Sequence, residues 1–332
     1  MLACPRRKAS LRCKCGSEAF QKFGTYIRDG NRIQRLKCKQ CDEVTSDTLL
    51  RPLGSLRVPF EQAVQVVSML VEGMTIRGAA RITRLHQQTI LNILEIAGEK
   101  CARLLNEKIR AIQAENVEVD ELYSYVGTRP ENAGAYEYGR GEIYCYLGIA
   151  RESKLIISYL VGKRSAPNCL ALMADLKGRL SGRTQLSTDG FLAYSAPNGA
   201  VFKTFGTDVD YGVEIKSFGR EEGPVGRYRP AKCLGVKRES AIGSPNLRTI
   251  NTSRVERMNL SVRHFTRRFT RSTLGYSKTI QNHRHAVALF VAHFNFCRCH
   301  SSLKNGIPRT PAMMAGLTEH VWSVCELLEA KL

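Results

Sequence analysis

The chain has no apolar run long enough to cross a bilayer. The longest stretches, such as AVALFVA from Ala286, fall far short of a span and carry no basic amphipathic face, so an integral or surface membrane role is excluded as an expectation. The opening MLACPRRKASLRCKC is basic but lacks the apolar segment of a secretory signal, which argues for a reducing cytoplasm. The 12 cysteines are therefore read as thiols or metal ligands rather than disulfides. Internal repeats and low-complexity tracts are lacking too. Acidic residues are scarce: 30 Asp and Glu face 50 Lys and Arg, giving a formal charge of +20 and a pI near 9.7. Such a balance points to a polyanionic partner, with nucleic acid the leading candidate. At 332 residues, two or three units are expected, each with its own core.

What is present divides into four segments. Residues 1–50 are rich in Cys, Lys and Arg, and end before RPLGS, whose Pro52 and Gly54 suit a linker. Cys13-Lys-Cys15-Gly and Cys38-Lys-Gln-Cys41 flank a strand-like stretch from Phe20 to Leu36. Four thiolates so spaced can bind a structural Zn²⁺ and staple a module too small to fold on its own core. The first pair has a one-residue gap where two is usual, so Cys4 is an alternative to Cys13, and unligated surface thiols are the plainer reading.

Residues 55–112 show apolar positions at helical spacing: Phe60, Ala63, Val64, Val67, Leu70 and Val71, then Ile76, Ala79 and Ala80, then Ile90, Ile93, Leu94 and Ala97. EGMTIRGAARITRLHQQTILNILEIAG reads as helix, tight turn, helix, with Ala79 and Ala80 small at the crossing and Ile82 and Ile90 as core plugs. His86, Gln87, Gln88 and Thr89 would open the second helix, where amide side chains can read adenine edges in a major groove. Arg77, Arg81 and Arg84 would lie near phosphates. Any three-helix bundle shows similar periodicity.

Residues 115–275 change texture. VEVDELYSYVG, IYCYLGIA and KLIISYLVG read as strands, APNCLALMADLKGRL as a helix, and QLSTD as a further strand, which together predict a mixed α/β sheet. Residues 197–245, rich in Gly, Pro and charge with one plausible strand at VFKTF, read as an insertion. A C-terminal helical extension, 276–332, closes with a predicted helix at HVWSVCELLEAKL.

Three acids stand out within this frame. Asp120 lies on a strand where Val117 and Val119 alternate with Glu118 and Asp120. Asp189 ends a strand before Gly190, a break that allows close approach of metal or substrate. Glu256 opens a helical stretch, with Arg263 two turns on along the same face. Arg257, Arg267, Arg268 and Arg271 extend the basic surface, suited to a phosphate track. Each acid alone reads as a solvated surface group, and the arginines as a solvated helix; combined, two strands and a helix deliver the oxygen ligands that a pair of Mg²⁺ or Mn²⁺ ions needs to grip a phosphodiester. Glu118, Glu121 and Asp175 are read as structural or solvated. His293, Cys297, Cys299 and His300 are read as packing rather than ligation, and Trp322 as docking the terminal helix on the core, with a dimer contact as the alternative.

The motifs VEVDELYSYVG, VGKR, QLSTDGFLAY, TSRVERMNL, RRFTRSTLGYSK, HAVALFVAHFNFCRCH and TPAMMAGLTEHVW resemble those of DDE transposases of the insertion sequence one type. The resemblance covers nearly the whole chain and is most specific from Thr252 to Trp322. It implies an RNase H-like catalytic core, a zinc ribbon and helix-turn-helix that bind terminal inverted repeats of double-stranded DNA, and Mg²⁺-dependent strand cleavage and transfer. Asp120, Asp189 and Glu256 become the triad, and pairing two DNA ends implies a homodimer in the complex, in a bacterial or archaeal type of cell. The one-residue first cysteine gap departs from the usual ribbon. Two rival readings are a DNA-binding regulator with an inert nuclease fold and a stand-alone nuclease such as an RNA–DNA hybrid hydrolase.

Overall fold

The computed structural model describes residues 13–28, 31–46, 53, 56–129, 139–219, 232–270 and 274–330. Near the N-terminus, strands β1 (Phe20–Arg28), β2 (Asn31–Cys38) and β3 (Val44–Ser46) form an antiparallel three-stranded sheet. Both cysteine pairs sit beside it at turns closed by left-handed residues, Gly16 (φ 88°) and Asp42 (φ 62°).

Three helices follow: α1 (Phe60–Val71), α2 (Ile76–Thr83) and α3 (Gln87–Lys108). The Thr75 hydroxyl caps α2 by accepting from the Gly78 amide at 3.0 Å, and Arg84, at φ 56°, ends it in a tight turn. Along α3, Ile90, Ile93, Leu94, Ala97, Cys101, Leu104 and Leu105 form one buried stripe at the helical period. Ile82, expected as a core plug, is instead 59% exposed.

The central sheet contains β4 (Asn116–Val126), β5 (Gly141–Ala150), β6 (Ile156–Gly162), β7 (Gln185–Asp189), β8 (Asp210–Gly219) and β9 (Lys232–Ile242), in the order β6-β5-β4-β7-β8-β9. β4, β7 and β8 run parallel, while β5, β6 and β9 pair antiparallel with their neighbours. This is an RNase H-like mixed sheet with one strand added at the β8 edge. Helix α4 (Ala166–Arg179) makes the first parallel crossover, and the short helices α5 (Leu192–Ser195) and α6 (Ala200–Phe205) make the second.

The segment 197–245, expected as an insertion, thus supplies two strands of the main sheet. Its VFKTF stretch is helical rather than extended: Val201 and Phe205, one turn apart, are both buried while Phe202 faces out. β9 escaped recognition because it is an edge strand, and its Lys237, Arg238 and Glu239 make it read as a loop.

Helix α7 (Ser253–Phe265) crosses the sheet and runs into a 3₁₀ turn (Arg267–Phe269). The chain ends in α8 (Ile280–Phe296), a hairpin of β10 (His300–Asn305) and β11 (Ile307–Arg309), then α9 (Pro311–Met314) and α10 (Val324–Glu329). The last helix begins later than expected, because Ser323 and Glu326 form a capping box; Trp322 precedes it and packs on Phe296, ring centroids 4.9 Å apart.

Among the described residues, one apolar cluster runs from Leu53 through α1 and the central sheet to α10, and the buried Cys13, Ile33 and Cys38 of the N-terminal sheet lie outside it. α8 is buried nearly all round and lies against α3, where a Cβ on Gly98 would come within 2.4 Å of His285 Cβ. Arg179 adds a polar tie, donating to the terminal carbonyls Leu105 (3.0 Å) and Ile109 (3.3 Å) of α3 while paired to Asp175 at 2.7 Å. Among the described residues no helix is long and apolar enough to cross a membrane.

Candidate active site

Pairing between the parallel strands β4 and β7 stops at Glu118 opposite Ser187. Two residues further on, Asp120 on β4 and Asp189 on β7 face the gap left where the strands part, the usual location for a ligand in a sheet of this kind. Glu121, read from sequence as structural or solvated, joins them: one carboxylate oxygen from each of Asp120, Glu121 and Asp189 lies within 4.8 Å of the others.

Their electrostatics are those of a site short of positive charge. Burial pushes the Asp120 carboxyl up to about 7, and the charges of Glu121, Asp189 and Glu256 push the same way. Burial also raises Glu121, opposed by a hydrogen bond from the Tyr194 hydroxyl and by the guanidinium of Arg164. Arg164 is the local counter-charge: it contacts Glu121 Oε2 at 3.3 Å and Asp189 Oδ2 at 3.8 Å, and its guanidinium carbon sits 3.7 Å from the Phe191 ring centroid.

Glu256 stands outside the three-carboxylate cluster. Its side chain is 48% exposed, and its Oε1 is held by Lys216 Nζ, with Thr252 Oγ1 3.0 Å away but its single proton shared with Glu214. It is near enough for its charge to raise Asp120. The helix bearing it is anchored by two buried glutamates, Glu118, expected as structural or solvated, and Glu214. Glu118, fully buried on β4, accepts the backbone amides of Arg254 (2.8 Å) and Val255 (3.0 Å) at Oε2, and Arg151 Nε at Oε1 (2.7 Å). Glu214 on β8 accepts the Thr252 amide (3.1 Å) and hydroxyl (2.9 Å) and pairs with Lys216 and Arg238, each at 3.3 Å. Two carboxylates thus take up free amides at the positive end of α7. One turn beyond Glu256, Asn259 donates from Nδ2 to Asp120 Oδ2 at 2.7 Å. The signal for Asn259 was its spacing of three from Glu256 on one helical face; Arg164 and Lys216 had none without the fold.

Hard oxygen donors suit Mg²⁺ or Mn²⁺, and one buried oxygen beside Asp120, Asn259 Oδ1, has no hydrogen-bond partner. The donor set therefore fits a divalent ion. At the N-terminal sheet, the sulfurs of Cys13, Cys15, Cys38 and Cys41 all lie within 4.8 Å of one another, with Cys13 to Cys41 at 3.4 Å and Cys15 to Cys38 at 3.7 Å. A tetrahedral site with Zn–S of about 2.3 Å separates sulfurs by roughly 3.8 Å, so this set fits zinc. The Cys38 thiol is drawn down to about 6, chiefly by the Gln40 backbone amide 3.4 Å from its sulfur. Cys4, the alternative ligand, lies outside the described residues.

The expected DNA-contacting residues separate into two groups. Arg77, Arg81, Arg84, His86, Gln87 and Gln88 are exposed on α2, the turn and the start of α3, and Thr89 is half-buried. The His86 ring accepts from the Gln88 amide at 3.2 Å, and the Gln88 side chain reaches Asn92 at 2.9 Å. Arg257 and Arg267 are exposed, but Arg263 turns to the Phe269 carbonyl at 3.2 Å. Arg268 departs from its expected place on a phosphate track: it points inward to Ser277 Oγ at 2.8 Å, and burial lowers its pKa to about 10, because the 3₁₀ turn rotates it off the exposed face. Arg271 lies outside the described residues. A cleft of about 780 Å³ separates the two surfaces, with Arg77 and Gln87 on one wall and Arg267 and Lys278 on the other.

The fold and site together define an RNase H-like protein with an acidic centre and a four-cysteine ribbon. No family model matches the chain, and no curated protein sequence matches it. Among solved structures, similar chains occur in the Mos1 strand transfer complex (16% identity, TM-score 0.21, covering 47% of this chain and 59% of that one) and a pre-cleavage Mos1 transpososome (13%, 0.18, 47% and 60%). Another occurs in a piggyBac transposase synaptic complex with hairpin DNA (11% identity, TM-score 0.37, covering 81% and 68%). The chain spans about three-fifths of the Mos1 chains it matches, and overlaps this loose assign no residue a role.

Proposed function

We propose that the chain is a DDE transposase of an insertion sequence, of the insertion sequence one type, binding terminal inverted repeats and catalysing Mg²⁺-dependent strand cleavage and strand transfer. The observation that carries this reading is the sheet register, which sets Asp120 and Asp189 side by side where β4 and β7 part and stations α7, with Glu256, across them. Divalent ions, if bound there, would lower the pKa of the attacking water or 3′ hydroxyl and neutralise the leaving oxygen. Asp120 and Asp189 hold them, Asn259 fixes the Asp120 carboxylate, and Arg164, poised on Phe191, is a donor for a phosphate oxygen once its carboxylates are otherwise engaged. Lys216 pairs with Glu256 beside the site. The exposed residues of α2 and α3 and the basic surface at Arg257 and Arg267 take the duplex, and the ribbon zinc is structural.

The deciding experiment incubates the protein with Mg²⁺ and DNA bearing the element's own terminal repeats, which a search of flanking genomic sequence supplies. Strand transfer that disappears in Asp120→Asn supports the proposal. Binding without cleavage indicates a regulator with an inert fold, and cutting that ignores the repeats indicates a stand-alone nuclease.

A further inference from the structure

The triad of the proposed function does not use all the oxygens that converge here. Glu121 has a side chain only 2% exposed, and its carboxylate, one of three that converge here, is met by Arg164 and the buried Tyr194 hydroxyl. Asn259 is 9% exposed, and with Nδ2 committed to Asp120 its Oδ1 is left orphaned beside that carboxylate. A buried acceptor left unsatisfied is destabilising. An unmatched oxygen beside Asp120, in a cluster of three carboxylates whose one close counter-charge is Arg164, is explained if a cation belongs there. Meanwhile Glu256, the third member of the triad, is paired with Lys216 and lies outside the cluster.

We infer that the first divalent ion is bound by Asp120, Glu121 and Asp189 with the side-chain carbonyl of Asn259, and that Glu256 is not among its ligands. This rests on the reading of the site as a metal-dependent one. Asn259 then has two tasks, fixing Asp120 with its amide nitrogen and coordinating with its oxygen. Glu256 remains with Lys216 until substrate phosphate competes for that ammonium, so the ion required first is bound before DNA arrives.

The test measures Mn²⁺ affinity of the full-length chain without DNA, by titration calorimetry and by the electron paramagnetic resonance signal of free Mn²⁺. Glu121→Gln and Glu121→Asp are each expected to weaken binding about tenfold, and Asn259→Ala about fivefold, whereas Glu256→Gln stays within about twofold of the parent. Metal-free unfolding curves identify any variant that fails to fold, and the two Glu121 variants back each other. Glu121 variants within twofold of the parent, or a tenfold loss in Glu256→Gln, overturn the inference while leaving the transposase reading intact. Absence of Mn²⁺ binding by the parent overturns both.

Discussion

Glu118 makes no contact with the candidate substrate, yet its removal is expected to damage both stability and the site. The carboxylate is fully buried and accepts three hydrogen bonds, two from the first-turn amides of α7 and one from Arg151, whose side chain is itself only 19% exposed. In Glu118→Ala the two amides lose their acceptor and Arg151 becomes an uncompensated, mostly buried cation. Removing one partner of a buried pair costs about 3–5 kcal/mol, a large part of the roughly 5–15 kcal/mol that holds a typical domain together. Glu118→Gln retains one acceptor for the amides but leaves Arg151 unbalanced, so it should fall between parent and Ala. Denaturant unfolding followed by the fluorescence of Trp322, the single tryptophan, reads the effect from the shared core. With α7 loosened, Glu256 and Asn259 lose their register against Asp120, and cleavage should fall well below the level that instability alone predicts at a temperature where the variant remains folded. If Glu118→Ala unfolds within about 1 kcal/mol of the parent, the anchoring argument is wrong.

The ribbon should contain one zinc per chain, and Cys38→Ser or chelation should abolish its order while leaving the Trp322 unfolding transition in place; full proton-exchange protection of β2 after metal removal would refute the zinc assignment. Acid should destabilise the protein through His283, which burial lowers to about 3 between Ser124 (3.2 Å) and Ser277 (2.8 Å). Its folded pKa lies below its unfolded value, so below pH ~6.5 the unfolded chain takes up the proton first and stability falls by up to ~1.4 kcal/mol per pH unit until about pH 3; a His283→Gln variant with the same acid midpoint would count against this. Arg257→Ala should weaken DNA binding and reduce its salt slope by about 1 with unfolding unchanged, whereas Arg268→Ala should lower stability first. Equal effects of the two on the salt slope would contradict the inward placement of Arg268.

Much of this was legible where local chemistry and tertiary role coincide. The helix α4, the strands β4 to β7 and the turn between α2 and α3 follow from apolar periodicity and breaking residues, because each of those elements buries a face written in its own sequence. Strands β8 and β9 were hidden: one is buried only along its first half and the other is a charged edge, so neither shows clean alternation. The cysteine pairs were visible through spacing alone, but only the turns at Gly16 and Asp42 reveal that a one-residue gap still brings four sulfurs together.

By itself, the order of residues along the chain determined the basic character, the cysteine set, and the position of Asp120 and Asp189 at strand positions fit for an acidic centre, since charge and periodicity are local properties. Which carboxylates meet was decided by the tertiary structure. Glu121 enters the cluster and Glu256 pairs with Lys216 because β4 and β7 part just beyond Glu118 and because Glu118 and Glu214, distant in sequence, seat α7 on the sheet. Convergence of Glu121 with Asp120 and Asp189, and of Asn259 with Asp120, is a relation among elements, and no single stretch of sequence contains it.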